Sequence, residues 1–346
     1  MVNIVNTNKL FSLIIESKKI AIIGHSNPDG DCIGSVSALY NYLVGLGKSV
    51  SSLVPNKYPL FLSFLDPHKS IYDASSDIAK TQIIIDNADL IICVDFNGLK
   101  RIDDLGPIIK KSNATKVLID HHPQPDQDFD VIFSRPDLSS ASELTYWILK
   151  EIDEKFLKTE NKSYFNLHIY TALYTGMMTD TNNFSNSVVA STFAMASNLI
   201  SVGVDKEMIQ NEVFGGFSEN RMRLMGYMLY NNMHIYRDLQ ASVMVITQKI
   251  KDEFNFEIGD SEGFVNLGLN IKGIKVAALF TENQDTIRVS LRSKGTFSVN
   301  SFARKYFNGG GHERAAGGKL FMNINDVENY FIKSLKEFSE DNNTQL

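Results

Sequence analysis

Short apolar runs without polar alternation recur through the first 120 residues and constrain the fold of this chain most strongly. Examples are IAII at 20–23, LIICV at 90–94 and KVLI at 116–119. Strands of this kind are buried on both faces, as in a parallel sheet covered by helices. Helical patterns lie between the runs, beginning with a predicted helix near 34–46. The pattern therefore predicts an α/β fold whose first domain is a parallel sheet with helices on both faces.

The chain has 346 residues, and single cores stop growing at roughly 250–300 residues, so two domains are expected. From about 139 to 235 the pattern is helical, with Ser or Thr caps and apolar spacings of three and four. Beyond 240 the period changes to short strands such as ASVMVIT and IKVAALFTE. We predict a first domain over 1–235 that ends in a helical linker, and a smaller α/β domain over 240–340. The polar tail at 339–346 is predicted to fray.

Composition excludes several classes of protein. A net charge of -6 argues against a broadly basic nucleic-acid coat, although a local cationic pocket needs charge only at the site. Two cysteines are too few for a disulfide-rich scaffold or a four-cysteine zinc site. No apolar stretch reaches the ~18 residues that span a bilayer. The sequence thus predicts a cytoplasmic protein with no membrane partner.

Acidic and histidine side chains follow the apolar runs. Because ligands of open α/β sheets bind outside the carboxyl ends of the strands, these side chains should meet at one edge. Hard divalent ions bind carboxylate oxygen and tolerate imidazole, and two such ions about 3.5–4 Å apart clamp a phosphoryl group. The candidate ligands are His25, Asp29, Asp31, Asp95, Asp120, His121, His122 and Asp180.

Each cluster alone also fits a plainer interpretation. HSNPDGD at 25–31 is a good turn sequence, and Asp95 could cap the next element. The pair at 121–122 could be two satisfied histidines, and Asp180 an Asx-turn. Together the clusters favour ions, because unsupported carboxylates would repel one another. The histidines outside the clusters are predicted to be structural or at the surface; they are His68, His168 and His234.

The second half carries FNGGGHERAAGG at 307–318. Its three leading glycines let backbone amides approach an anion, and His312 adds a donor or a stacking surface; a flexible hairpin is the alternative. Arg288 and Arg292 are four residues apart on a predicted strand, which places both on one face. Arginine forks suit phosphate oxygens.

Five ordered motifs resemble those of the DHH phosphoesterase superfamily. They are HSNPDGDCIGS at 25–35, VDFNGLKR at 94–101, IDHHP at 119–123, TGMMTDTNNF at 175–184 and GGGHERAAGG at 309–318. The last resembles the DHH-associated substrate domain of the nano-RNase branch. The resemblance covers nearly the whole chain and implies a DHH catalytic domain followed by a substrate-binding domain.

The resemblance also implies a set of metal ligands. One ion would be held by His25, Asp29 and Asp95, and a second by Asp31, Asp95, His121 and Asp180, with Asp95 as the bridge. Asp120 would orient His121, and His122 would lie near the scissile phosphate, so that Asp120 and His122 are the catalytic candidates. The expected ions are two Mn²⁺, although the ligand types also permit Mg²⁺.

The implied substrates are short single-stranded RNA and dinucleotides, hydrolysed to mononucleotides in a cleft between the domains, and 3'-phosphoadenosine 5'-phosphate. The nucleotide or its terminal phosphate would be held by Arg292, Asn308, Gly309, Gly310, Gly311 and His312. A cyclic-dinucleotide or linear-dinucleotide phosphodiesterase would use the same metal site. A non-catalytic nucleotide-binding module is the alternative from another class. The sequence leaves a homodimer open.

Overall fold

In the computed structural model, which describes residues 4–157, 163–215 and 217–341, the chain forms two compact units. They comprise residues 1–216 and 217–346. Across the described residues, no helix combines the length and apolar character that crossing a bilayer requires.

A six-stranded parallel sheet forms the centre of the first unit. Its strands are β1 (Lys19–Ile23), β2 (Ser49–Val54), β3 (Ile71–Asp73), β4 (Leu90–Val94), β5 (Thr115–Asp120) and β6 (Val131–Ser134). Their order in the sheet is β3-β2-β1-β4-β5-β6, and all neighbours are parallel. The three apolar runs of the sequence are β1, β4 and β5, which lie side by side.

Helices cover both faces of this sheet, as predicted. The helices of this unit are α1 (Thr7–Glu16), α2 (Gly30–Gly45), α3 (Ile78–Asp86), α4 (Leu105–Lys111), α5 (Ala141–Ile152), α6 (Leu167–Asp180), α7 (Ala190–Ser201) and α8 (Lys206–Gln210). Alternate strand residues enter different cores: Ile22 packs in the cluster that contains α2, α5 and α6 residues. Its neighbour Ile23 packs in the cluster with Ile85 of α3 and Ile109 of α4.

Helices α2 and α6 approach each other closely through glycines. A Cβ atom on Gly30 would lie 2.4 Å from Oγ1 of Thr179, and one on Gly34 would lie 2.5 Å from the carbonyl oxygen of Ala172. Real side chains cannot occupy such positions, so glycine is required for this packing. The contact holds the first turn of α2 against the later turns of α6.

The second unit contains a mixed sheet. Its strands are β7 (Met233–Tyr236), β8 (Ala241–Ile246), β9 (Val276–Glu282), β10 (Ile287–Ser293), β11 (Gly310–Gly311) and β12 (Ala315–Leu320). The order is β11-β12-β10-β9-β8-β7; β8 and β9 are parallel and the other neighbours antiparallel. Its helices are α9 (Glu219–Asn231), α10 (Gln248–Glu253), α11 (Phe264–Leu269), α12 (Val299–Tyr306) and α13 (Val327–Asp341). The predicted α/β class is confirmed.

Helix α9, which the sequence analysis placed in the linker of the first domain, belongs to the second unit. Its buried Leu224 and Met228 pack with Met244 and Ile246 of β8, and this apolar contact ties the helix to the second sheet. Of the polar tail, residues 339–341 continue α13. Residues 342–346 lie outside the described part of the chain.

Candidate metal centre

The acidic and histidine clusters of the first unit converge at the carboxyl ends of three adjacent strands. His25 follows β1 after one glycine, Asp95 follows β4 directly, and Asp120 is the last residue of β5. Asp31 lies in the first turn of α2, and Asp180 is the last residue of α6. The parallel sheet therefore places residues that are up to 155 positions apart in one site.

One group of donors consists of His25, Asp29 and Asp95. Nε2 of His25 lies 3.7 Å from Oδ1 of Asp29 and 3.3 Å from Oδ2 of Asp95. One donor atom from each of these residues lies within 4.8 Å of the others, as a shared metal ion requires. Oδ1 of Asp29 also accepts hydrogen bonds from the amides of Asp31 and Cys32, so the residue caps α2 as well.

A second group consists of Asp31, Asp95 and His121. Nε2 of His121 lies 3.8 Å from Oδ2 of Asp31, 3.6 Å from Oδ1 of Asp95 and 3.5 Å from Oδ2 of Asp180. Asp95 thus presents one oxygen to each group. The structure brings together the two ligand sets that the resemblance implied, with Asp95 between them.

Asp95 has an unusual backbone conformation that serves this position. Its φ of 66° is left-handed, a region in which Asp and Asn are enriched among residues other than glycine. The amide of Asp95 donates to the carbonyl oxygen of Ile119 at 3.0 Å, which anchors the residue to β5. The turn directs the 2%-exposed side chain across the ends of the strands.

Asp31 is held by the start of α5, a contact that the sequence analysis missed. The amide of Ala141 donates to Oδ2 of Asp31 at 2.7 Å, and the amide of Ser142 donates to Oδ1 at 2.8 Å. Amides at a helix start are orphan donors that favour a carboxylate. Oγ of Ser140 caps this helix by accepting from the amide of Glu143. The cap was predictable from the sequence, but the hydrogen bonds from the amides of Ala141 and Ser142 to Asp31 were not.

Glu143 holds the same turn in place, and the sequence analysis did not identify this residue either. The residue is fully buried, and its Oε2 accepts from the amide and Oγ of Ser139 at 3.1 and 2.6 Å and from Oγ1 of Thr192 at 2.8 Å. Its Oε1 accepts from Nε1 of Trp147 at 3.3 Å. The carboxylate therefore ties the turn that binds Asp31 to both α5 and α7.

The role predicted for Asp120 needs a correction. It was expected to orient His121, but its Oδ1 accepts from Nδ1 of the following histidine, His122, at 2.7 Å. Nδ1 of His121 instead lies 3.5 Å from the carbonyl oxygen of Leu138. Consecutive residues after a strand point in different directions, so Asp120 and His122, two positions apart, share a side.

The negative charges around the two histidines of these groups, His25 and His121, raise their pKa values. Burial alone would lower the pKa of His25, but the hydrogen bonds and charges of Asp29 and Asp95 raise it to about 10. Burial likewise acts against His121, whose pKa the charges of Asp180, Asp31 and Asp95 raise to about 9.

Two of the carboxylates show the effect of crowding, whereas, against the effect of burial, the hydrogen bond and charge of His25 hold the pKa of Asp29 below its usual range. Burial, reinforced by the charge of Asp31, raises the pKa of Asp95 well above its usual range. Burial also raises the pKa of Asp31. In addition, Oδ2 of Asp120 is buried without a hydrogen-bond partner among the described residues. Buried carboxylates this close together are costly unless cations lie beside them. Their oxygen atoms, together with the imidazole nitrogens, suit a hard or borderline divalent ion. The residues present therefore fit two metal ions.

The candidate substrate residues of the second unit lie on β10 and around the hairpin β11–β12. Arg292 is half-buried on β10, and its Nη1 donates to the carbonyl oxygen of Leu291 at 3.0 Å. Nδ2 of Asn308 donates to the carbonyl oxygen of Lys319 at 3.2 Å. The amide of His312 donates to the carbonyl oxygen of Ala315 at 2.7 Å and closes the hairpin turn.

The glycine motif differs from its prediction in one respect. The amide of Gly309 donates to the carbonyl oxygen of Ala303 at 3.3 Å, and that of Gly311 donates to Oδ1 of Asn300 at 3.1 Å. Two of the three amides thus have acceptors in α12. The glycines are needed for close packing, because a Cβ on Gly309 would lie 1.8 Å from the carbonyl oxygen of Gly317.

Two of the three histidines outside the clusters, His168 and His234, have partners within their own unit. Nε2 of His168 lies 3.1 Å from the carbonyl oxygen of Leu65, and Nδ1 of His234 lies 2.6 Å from Oε1 of Glu328. Both contacts are structural in kind.

Comparison with known proteins places both halves in families. The DHH family, N-terminal domain, matches residues 19–177, and the DHHA1 domain matches residues 241–340. The chain is 28% identical over 298 residues to the bifunctional oligoribonuclease and PAP phosphatase NrnA of Bacillus subtilis, covering 86% of this chain and 88% of that protein. It is 28% identical over 323 residues to the protein of the same name from Mycoplasma genitalium, covering 92% and 94%.

Solved structures agree with this assignment. An exopolyphosphatase-related protein from Bacteroides fragilis has a TM-score of 0.87 and 35% identity, over 97% of this chain and 96% of that one. RecJ from Thermus thermophilus in complex with Mg²⁺ is 13% identical with a TM-score of 0.51, over 98% of this chain and 53% of that one, which is a likeness of fold alone.

Proposed function

The chain belongs to the DHH family, with a DHHA1 domain in its second half, and is a phosphoesterase; we propose that it hydrolyses short oligoribonucleotides to mononucleotides with two divalent metal ions. The observation that carries this proposal is the pair of donor groups that share Asp95. Two adjacent ions are the usual requirement for displacement at phosphorus.

The ligand set would hold one ion at His25, Asp29 and Asp95 and the other at Asp31, Asp95, His121 and Asp180. When bound, two such ions supply an activated water and neutralise charge on the phosphoryl oxygens. Two histidines among the ligands favour Mn²⁺ over Mg²⁺, which prefers oxygen and water.

His122 is the residue proposed to move a proton. A carboxylate oxygen can only accept, so Nδ1 of His122 carries the proton of its 2.7 Å hydrogen bond with Asp120, and Nε2 is the unprotonated nitrogen of the neutral ring. Burial lowers the pKa of His122, so its ring is neutral at pH 7 in the metal-free protein. A fixed tautomer lets Nε2 accept a proton from water and pass it to the leaving oxygen.

The second unit is proposed to bind the end of the substrate. Arg292 offers a guanidinium fork to a terminal phosphate. Asn308 precedes the hairpin that would approach the nucleotide, and His312 lies in its turn. Two of the three hairpin glycine amides already have acceptors. The glycines are therefore proposed to let the backbone come close to the substrate, not to supply three amide donors. The reaction is proposed for the cytoplasm, and a homodimer stays a prediction.

A phosphatase activity toward 3'-phosphoadenosine 5'-phosphate is a second proposed activity. The names of the Bacillus subtilis and Mycoplasma genitalium relatives pair oligoribonuclease with PAP phosphatase. Both reactions displace an oxygen at phosphorus on a small nucleotide, so one metal centre serves both. The intact donor set argues against a module that only binds nucleotides.

The test is incubation of the purified chain with Mn²⁺ and either a labelled RNA dinucleotide or 3'-phosphoadenosine 5'-phosphate. Release of mononucleotides, abolished by EDTA and restored by Mn²⁺, is expected. Tight binding of both compounds without turnover of either would refute the proposal and favour a binding module. Turnover of a cyclic dinucleotide in preference to RNA would assign the same site to the rival phosphodiesterase.

A further inference from the structure

One face of the second sheet is only half covered by helices. On β8 and β9, the side chains of Met244, Ile246 and Leu279 are buried in a cluster with residues of α9 and α11. Leu279 pairs with Ser290 of β10, which in turn pairs with Gly317 of β12, so these residues share that face. On β10 and β12 the face is not buried. The sheet therefore keeps an open shelf beside a helix-covered half.

The open shelf is positively charged at one end by a direct cross-strand pair. Arg288 of β10 lies opposite Lys319 of β12 in the antiparallel ladder, and both side chains are exposed. Like charges directly opposite each other destabilise a sheet. The partner of Arg288 on its other side is the uncharged Thr281. Two cations that face each other across a ladder can both contact one phosphate that lies between them.

A third cation, Lys251, lies within electrostatic range of Arg288. Burial lowers the pKa of Lys251, and the charge of Arg288 acts in the same direction, against the charges of Glu282 and Asp252. This end of the shelf thus carries cations on three different elements, with Glu282 and Asp252 beside Lys251. Lys251 is also held in place by the side chain of Asn283, 3.0 Å from its Nζ.

The other end of the shelf is the proposed site for the substrate end. Arg292 lies four residues beyond Arg288 on the same face, about 13 Å along the strand at roughly 3.3 Å per residue. Between them Ser290 offers a hydroxyl, while Gly317 and Ala315 across the ladder offer almost no side-chain bulk. The strip therefore carries cations at both ends and small side chains between them.

We propose that Arg288 and Lys319 form a second phosphate site, which binds an internal backbone phosphate of a single-stranded oligonucleotide. This inference rests on the proposed function, because Arg292 would hold the end of the same strand. Charge complementarity favours this occupant: the cations are spaced along one strand, as the phosphates are along an extended nucleic acid. The site would give longer oligonucleotides a contact that 3'-phosphoadenosine 5'-phosphate cannot make.

The test is the salt dependence of RNA binding. The full chain is titrated in EDTA, which prevents hydrolysis, against a fluorescent pentanucleotide RNA, and affinity is measured by anisotropy at several salt concentrations. Each phosphate contact on a single strand contributes about 0.7 to the slope of log affinity against log salt. Arg288→Ala and Lys319→Ala should each weaken binding several-fold and make the slope shallower by about that amount. Lys333→Ala is the matched control, because Lys333 is 77% exposed on α13, whose buried residues pack in the other core of this unit.

Lys319→Glu separates a ligand role from a structural one. The substitution places an acid opposite Arg288, which should leave the melting temperature unchanged or higher while RNA binding falls further than in Lys319→Ala. Unchanged affinity and slope in the Arg288 and Lys319 variants would overturn the inference, as would equal loss in Lys333→Ala. Failure of the proposed function is seen separately, as absence of dinucleotide hydrolysis by the unmodified chain with Mn²⁺.

Discussion

Asp120 and His122 form a hydrogen-bonded pair at the end of β5, with Nδ1 of His122 2.7 Å from Oδ1 of Asp120. Only 12% of the His122 side chain is exposed, and the charge of Asp120 acts to raise its pKa against the effect of burial. The carboxylate therefore both selects the ring tautomer and stabilises a transient imidazolium. This relationship distinguishes His122 from its neighbour His121, which faces the metal ligands.

Asp120→Asn should lower kcat by about 10²-fold or more, since the amide removes the charge that supports a protonated His122. Affinity for Mn²⁺ should change little, because Asp120 is not among the proposed ligands. Steady-state kinetics with an RNA dinucleotide and calorimetric Mn²⁺ titration measure the two effects. A kcat within threefold of the unmodified chain would contradict the proton-transfer role of His122.

Asp95→Asn should abolish hydrolysis while leaving the fold intact. Asn tolerates the left-handed backbone at this position, so the loss falls on the metal ions rather than on the turn. Calorimetry should show that affinity is lost at both ions together. Asp86→Asn, at an exposed position of α3, is the control and should behave as the unmodified chain. Near-normal turnover in Asp95→Asn would disprove the bridging assignment.

Metal binding should release protons. In the metal-free protein the pKa values of about 10 for His25 and about 9 for His121 keep both rings charged at pH 7.5, and an ion can bind only a neutral ring. Apparent Mn²⁺ affinity should therefore rise with pH from 6.5 to about 9. Calorimetry in buffers of different ionisation enthalpy measures the protons released. Heats that do not depend on the buffer would show that the rings are already neutral.

The same shift predicts how the stability of the metal-free protein depends on pH. The folded-state pKa of His25 lies above its ordinary value of 6.5, so its contribution to stability is fully present below pH 6.5 and is lost as pH rises through about 10. His121 acts in the same direction. Thermal unfolding in EDTA should show a lower midpoint at pH 10 than at pH 7. With Mn²⁺ bound the difference should shrink, because the ions replace the protons.

Glu143→Gln should destabilise the protein by about 1–3 kcal/mol, since an amide cannot accept from all the donors around Glu143 and brings two donors of its own. The substitution should also displace Asp31, because the turn at 139–142 binds its carboxylate. Mn²⁺ binding at the group of Asp31, Asp95 and His121 should therefore weaken more than at the group of His25, Asp29 and Asp95. Mn²⁺ titration followed by electron paramagnetic resonance resolves the two. Glu154→Gln, at an exposed site, is the control. Equal weakening at both ions would limit Glu143 to a general role in stability.

Gly176→Ala and Gly226→Ala should change stability in opposite directions. The added methyl at Gly176 would collide with Ser142 and lie 3.0 Å from Oδ1 of Asp31, which costs about 1–3 kcal/mol and disturbs the metal site. Gly226 is an exposed residue of α9, and a methyl group added there would meet no atom within 4 Å. Alanine there should stabilise α9 by about 0.5–1 kcal/mol. Thermal unfolding decides both signs.

Much of the metal centre was predictable because several of its residues stand directly after the apolar runs that form the strands. An apolar run that ends in Asp95, and another that ends in Asp120, must deliver those residues to the same edge if the strands are parallel neighbours. His25, Asp29 and Asp31 follow the first run within eight residues. The burial of β1, β4 and β5 on both faces, read from the absence of polar alternation, was confirmed for the same reason.

The partners of these residues were decided by tertiary structure. The amides that bind Asp31 come from α5, more than 100 positions away, and Glu143 acts through a turn that looks like an ordinary helix start. The hydrogen bond of Asp120 to His122 rather than His121 depends on side-chain directions after β5. These contacts arise where elements cross in space.

The amino-acid sequence by itself determined which residues bury and where each strand ends, because burial pattern and capping act over a few neighbours. Only the packed chain decided that Arg288 opposes Lys319, that two hairpin amides are already used, and that glycines bring α2 onto α6. Strand register and helix approach are set by the fit of distant surfaces, which no local stretch of residues encodes.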